Sequence, residues 1–186
     1  MNAVIEACNY SSYLEIGCKV DRTFGPVKAT TKVGVDAKSG GTLRMTSDEF
    51  FEQNDKKFDL IFIDGCHHHD FVMRDFNNAL ACLNENGTIA MHDTYPITKS
   101  HEAIDACWTA WRAFVHIRTR DDIDAIVCNF DHGLAFVRRG VNSRKLTISK
   151  SMDELVYEDL VKNKHEWLDP REKRDVLEWI SSSPKP

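Results

Sequence analysis

Four acids and a set of histidines are the residues whose types and spacing could do chemistry: Glu15, Asp36, Asp64 and Asp93, with His67, His68, His69 and His92 beside the last two. A carboxylate can accept hydrogen bonds from ribose hydroxyls or hold a hard cation, and an imidazole can take a proton near neutral pH. Each acid alone has a plainer reading, because acids are common in strand-to-helix loops and as helix caps. All four, however, fall at or near the carboxyl ends of strands, where open α/β sheets bind their ligands.

The strands are read from short apolar runs. Phe58-Asp-Leu-Ile-Phe-Ile leads into Asp64-Gly65-Cys66 and the histidines, as a parallel strand buried on both faces would. Tyr13-Leu-Glu15-Ile-Gly17 and residues 31–36 are two earlier strands, and residues 42–45 are a third, edge-like one. Thr46-Ser47-Asp48-Glu49 has capping-box spacing ahead of Phe50-Phe51, which predicts a short helix. Phe71, Val72, Asp75, Phe76, Ala79, Leu80 and Leu83 recur at helical spacing, with Gly87 as the stop. Residues 88–93 form the next strand and residues 100–118 a long helix. Asp131-His-Gly133 between two apolar runs is a hairpin signal.

This order implies an α/β fold: a mostly parallel sheet with helices on both faces and a C-terminal antiparallel hairpin. Residues 1–140 form the main domain. Residues 141–186 are a helical C-terminal extension, with helices over 152–162 and 170–180, packed on the body or on a second copy in a homodimer. Asp64 and Asp93 end adjacent parallel strands, so their carboxylates converge.

Composition narrows the function classes. At 186 residues with 24 Lys and Arg against 29 Asp and Glu, the net charge of −5 leaves no basic field for nucleic acid. No apolar run approaches the ~20 residues that span a bilayer, and the start lacks a signal-peptide pattern. The expected location is the cytoplasm, with no membrane partner. Six cysteines without a C-x-x-C pair read as free thiols. Asp36 lies 21 positions after Glu15, where a nucleotide-binding β-α-β unit places its ribose-binding acid. Gly17 lets backbone approach a ligand, but no G-x-G-x-x-G follows, so a nucleoside without phosphates fits better than a dinucleotide.

The segments Tyr13-Leu-Glu-Ile-Gly17, Val33-Gly-Val-Asp36, Met45-Thr-Ser-Asp-Glu-Phe-Phe51, Phe58–Gly65, His67 and His92-Asp93 together resemble the class I S-adenosylmethionine-dependent methyltransferases. The nearest branch includes macrolide-sugar O-methyltransferases and cephalosporin-hydroxylase-like proteins, and the likeness covers roughly residues 10–138 on one domain-sized unit. It implies a Rossmann-like, seven-stranded fold with S-adenosyl-L-methionine over Glu15, Gly17 and Asp36, and with Ser47, Asp48 and Asp64 contributing to the cofactor site. It further implies Asp64 and Asp93 as ligands of a divalent cation such as Mg²⁺, and His67 as general base. Asp21 stands where the family's first loop has its second glycine.

The expected activity is methylation of a hydroxyl on a sugar or small polyol, with a small molecule or glycan as substrate. The alternative is a nucleoside- or S-adenosylmethionine-binding protein of the same fold without catalysis. For His67-His68-His69-Asp70, the plainer reading is a polar loop capping the next helix. A zinc site lacks four evident ligands.

Overall fold

Seven strands form one sheet in the computed structural model, which describes residues 1–182. They are β1 (Ser12–Ile16), β2 (Thr31–Val35), β3 (Phe58–Ile63), β4 (Leu83–Met91), β5 (Ile123–Cys128), β6 (Leu134–Arg139) and β7 (Pro170–Arg171). Their order across the sheet is β2-β1-β3-β4-β6-β5-β7. β2, β1, β3 and β4 are mutually parallel, β6 runs antiparallel to β4 and β5, and β7 is parallel to β5.

The apolar runs are continuous because both faces of the sheet are covered. Leu14, Ile16, Ile61 and Ile63 belong to one core, whereas Tyr13, Leu60 and Phe62 belong to the other. Helices α2 (Ser47–Gln53), α3 (His69–Ala81), α4 (Ala110–Ile117) and α5 (Tyr157–Leu168) contribute Phe50, Phe76, Trp111 and Leu160 to the first core. Helices α1 (Asn2–Cys8) and α6 (Lys173–Ser181) contribute Val4 and Ile180 to the second. The capping box at α2 forms as its spacing predicts: Thr46 Oγ1 accepts the Glu49 N–H and Glu49 Oε2 accepts the Thr46 N–H.

Several elements differ from the sequence reading. Residues 42–45 are not a strand, since only a single bridge, Leu43 to Val35, remains there. The seventh strand is instead Pro170–Arg171, inside the extension. Gly87 does not stop α3, which ends at Cys82. It lies in β4, where a Cβ would come within 2.8 Å of the Asp59 carbonyl oxygen. The helix expected over 100–118 is reduced to a 3₁₀ turn, Lys99–Glu102, and α4. The helix expected over 152–162 begins only at Tyr157, after a turn in which Glu154 accepts the Ser151 N–H at 2.8 Å.

The extension packs on the body: Leu155, Leu160 and Leu168 are fully buried in the first core. Among the described residues no helix is long and apolar enough to cross a membrane.

Candidate active site

A cleft of about 500 Å³ opens at the carboxyl ends of β1, β2 and β3. Gly17, Asp36, Ser47, Asp48 and Asp64 all line it, as do Lys19, Gly65 and the exposed Cys66. Gly17 adopts φ +88°, and a Cβ there would lie 2.3 Å from the Asp64 carbonyl oxygen. The glycine is therefore required first by the meeting of two strand tips, and only secondarily by any ligand.

The turn after β1 closes through Asp21, which takes φ +59° and whose Oδ1 accepts the Gly41 N–H at 2.6 Å. Aspartate tolerates the left-handed region better than most side chains, so Asp21 supplies the conformation a glycine would and adds a tie to the β2 loop.

Asp36 is held by backbone. Its Oδ2 accepts the Lys19 N–H at 2.8 Å, and Oδ1 accepts the N–H groups of Lys38 and Ser39 at 2.7 and 2.9 Å. Burial would raise this carboxyl, but those donors and the Arg44 guanidinium outweigh it and hold it below the usual carboxylate range. Asp48 pairs with Arg74 Nε at 2.7 Å across the cleft mouth.

Glu15 is elsewhere. It is 1% exposed, does not line the cleft, and accepts a hydrogen bond from the Tyr13 hydroxyl on the opposite side of the sheet from Leu14. Burial pushes its carboxyl up to about 7. The expected cofactor contact through this side chain is not what the geometry shows. The pleat turns Glu15 with Tyr13 into the second core.

A second polar cluster adjoins the cleft at Asp64. His67 Nε2 lies 3.4 Å from Asp64 Oδ1, and His67 Nδ1 lies 3.1 Å from Asp93 Oδ2. His92 Nδ1 bridges the same two carboxylates at 3.3 and 3.1 Å. The Ala106 carbonyl oxygen sits 2.7 Å from His67 Nδ1; a carbonyl can only accept, so that nitrogen carries the hydrogen. Cys107 Sγ donates to Asp93 Oδ1 at 3.3 Å.

These contacts explain the lost helix at 103–109. Ala106, Cys107 and Thr109 are drawn onto the histidine loop, Thr109 N–H donating to His67 O at 3.2 Å, while Trp108 is forced to φ +45°.

Electrostatically the cluster is two acids held by two bases. Burial alone would raise Asp64 and Asp93, yet the neighbouring imidazoles hold both below the usual carboxylate range. Burial alone would lower His92, and the hydrogen bonds to the two carboxylates push it up to about 10. His67 is raised for the same reason. Single ligand atoms from Asp64, His67 and Asp93 all lie within 4.8 Å of one another. Two carboxylates and an imidazole suit a hard or borderline divalent cation, so the donor set fits the metal that the sequence resemblance implies.

The remaining histidines divide. His68 Nδ1 caps α3 by accepting the Asp70 N–H, the plainer role considered for the whole run. His69 is 2% exposed and contacts Thr109 Oγ1 at 3.0 Å and Asp153 Oδ1 at 3.1 Å, tying the extension to the histidine loop. His92 and Asp75 were not assigned from sequence. His92 immediately precedes Asp93 and is part of the cluster, and Asp75, an acid at an apolar-face position of α3, lines the cleft.

A family model described as a methyltransferase domain matches residues 27–94. No curated protein is significantly similar to the chain in sequence. Among solved structures, an O-methyltransferase from Bacillus cereus in complex with S-adenosylhomocysteine (SAH) superposes with a TM-score of 0.56 at 13% identity, over 74% of this chain and 78% of that one. SAH-bound Podospora anserina methyltransferase PaMTH1 gives 0.52 at 18% identity, over 74% and 76%. The N-methyltransferase NodS from Bradyrhizobium japonicum gives 0.50 at 13% identity, over 74% and 90%. The chain carries a methyltransferase domain with the fold of the class I S-adenosylmethionine-dependent enzymes. That fold serves both oxygen and nitrogen acceptors, so it does not name this acceptor.

Proposed function

We propose that this methyltransferase acts on a hydroxyl of a sugar or other small polyol, with S-adenosylmethionine in the cleft and a divalent cation such as Mg²⁺ at Asp64 and Asp93. One observation carries the reading: Asp64 belongs both to the cleft wall and to the histidine–carboxylate cluster. A donor held in the first site and a hydroxyl held at the second would then be neighbours.

Gly17, Asp36, Ser47 and Asp48 would bind the cofactor, with Asp64 at its reacting end. When bound, S-adenosylmethionine supplies an electrophilic methyl on a positive sulfur, and a divalent cation lowers the pKa of a hydroxyl beside it. The protein's own part is orientation and proton transfer. The hydrogen bond from Nδ1 to Ala106 O fixes the tautomer of His67, leaving Nε2 to take the hydroxyl proton as oxygen bonds the methyl carbon. The sulfur keeps the electron pair of the broken bond. Neutral imidazole facing Asp64 is unfavourable unless a hydrogen lies between them, so the proton has a waiting place.

Non-catalytic nucleoside binding drew on Asp21 replacing glycine, and Asp21 adopts the glycine conformation. The proposed setting is the cytoplasm, in keeping with six free thiols.

The test is transfer of labelled methyl to a panel of sugars and polyols by the full chain, with Mg²⁺ or with EDTA. Metal-dependent labelling is expected. Absence of any SAH-induced rise in melting temperature would overturn the cofactor assignment, and labelling indifferent to EDTA would remove the metal.

A further inference from the structure

Asp75 is a buried acid without a cation. It sits on α3 among Val72, Phe76 and Ala79, residues that face the sheet, and is 2% exposed. A leucine would serve packing better, since an unpaired buried carboxyl costs several kcal/mol on the order expected for polar burial. The adjacent Arg74 does not relieve it, because Arg74 Nε is spent on Asp48 at 2.7 Å. Asp75 Oδ1 has no hydrogen-bond partner among the described residues. The carboxyl nevertheless lines the cleft: a Cβ built on Gly65, itself a wall residue, would lie 3.8 Å from Asp75 Oδ2.

We propose that Asp75 is a specificity residue that reads the nucleobase, its carboxyl accepting a hydrogen bond from the 6-amino group of adenine. The inference rests on the cleft being an S-adenosylmethionine site. It adds a selectivity that the other wall residues do not supply. Asp36 is occupied by backbone N–H groups, and Asp48 is neutralised by Arg74 at the mouth. Asp75 alone offers an acceptor lacking a protein donor. Burial pushes its carboxyl up to about 6, with the Ser47 hydroxyl opposing, so the group also holds a proton readily. An aminopurine presents a donor beside a ring-nitrogen acceptor, which suits such a carboxyl.

Calorimetry with SAH and with its analogue lacking the 6-amino group tests this on the full chain, Asp75→Asn and Asp75→Leu, each checked for a cooperative melt. Wild type should prefer SAH by at least ~10-fold, since a buried acceptor left unpaired penalises the deaminated ligand. Asp75→Asn keeps a carbonyl oxygen and should retain a preference, whereas Asp75→Leu should bind both ligands within about 2-fold of each other. A wild-type ratio near one, or a ratio unchanged in Asp75→Leu, overturns the proposal while leaving the cofactor reading intact. Failure of wild type to bind SAH at all overturns both.

Discussion

The cleft and the histidine cluster meet at Asp64, yet they hold their acids in opposite ways. In the cleft, Asp36 is held by three backbone N–H groups that cannot leave. In the cluster, Asp64 and Asp93 are held by His67 and His92, whose charge depends on a proton. The first arrangement is a permanent shape with fixed partial charges. The second can trade protons for a cation without leaving its carboxylates unpaired. The lesson is that neighbouring acids at one sheet edge need not share a function: fixed donors build a mould, and titratable donors build an exchangeable site.

The sharpest way to break this contrast is at Asp93, which belongs to the cluster and does not line the cleft. Asp93→Asn is expected to lower kcat by about 10³-fold, more than loss of one general base costs, while SAH affinity by calorimetry stays within about 3-fold. A matching loss of SAH affinity would show that the two regions are one. His67→Ala should lower kcat by ~10²-fold with little change in SAH binding. A near-wild-type rate would leave His67 as architecture.

Asp36→Ala should act the other way, weakening SAH by roughly 10-fold as the loop loses its acceptor for three N–H groups. Gly17→Ala strains a φ of +88° and meets backbone, so its melting temperature should fall by several degrees, as for a cost of about 2 kcal/mol. The smallest effect concerns pH. The Asp75 carboxyl is raised in the folded protein to about 6, so its contribution to stability is full below its ordinary value near 4 and is lost as pH rises through 6. Denaturant titrations from pH 4 to 7 should show that decline, and Asp75→Asn should flatten it. An unchanged slope in the variant would assign the decline to another group.

Much of this layout was legible in the chain itself. β3 running into Asp64, the capping box at Thr46 and the hairpin at Asp131-His-Gly133 are all set by local pattern, and they form as read. What escaped was decided at a distance. The segment 103–109 has helical periodicity, but its Ala106 carbonyl answers to a histidine 39 residues earlier. β7 is two residues long and has no local signature. The direction of Glu15 was hidden because both sheet faces are apolar, so no alternation marks which side an acid takes. Asp75 did leave a trace, as an acid at an apolar-face position of α3. Without the cleft behind it, that trace had no meaning.

One wall residue gives the molecule a built-in reporter. Cys66 is its only exposed cysteine, beside Asp64 and Gly65, while four of the other five are buried and Cys8 is half-covered. A maleimide dye would mark this position fastest. Its rate of attachment, slowed by any occupant, would serve as a footprint of ligand residence without need of a turnover assay.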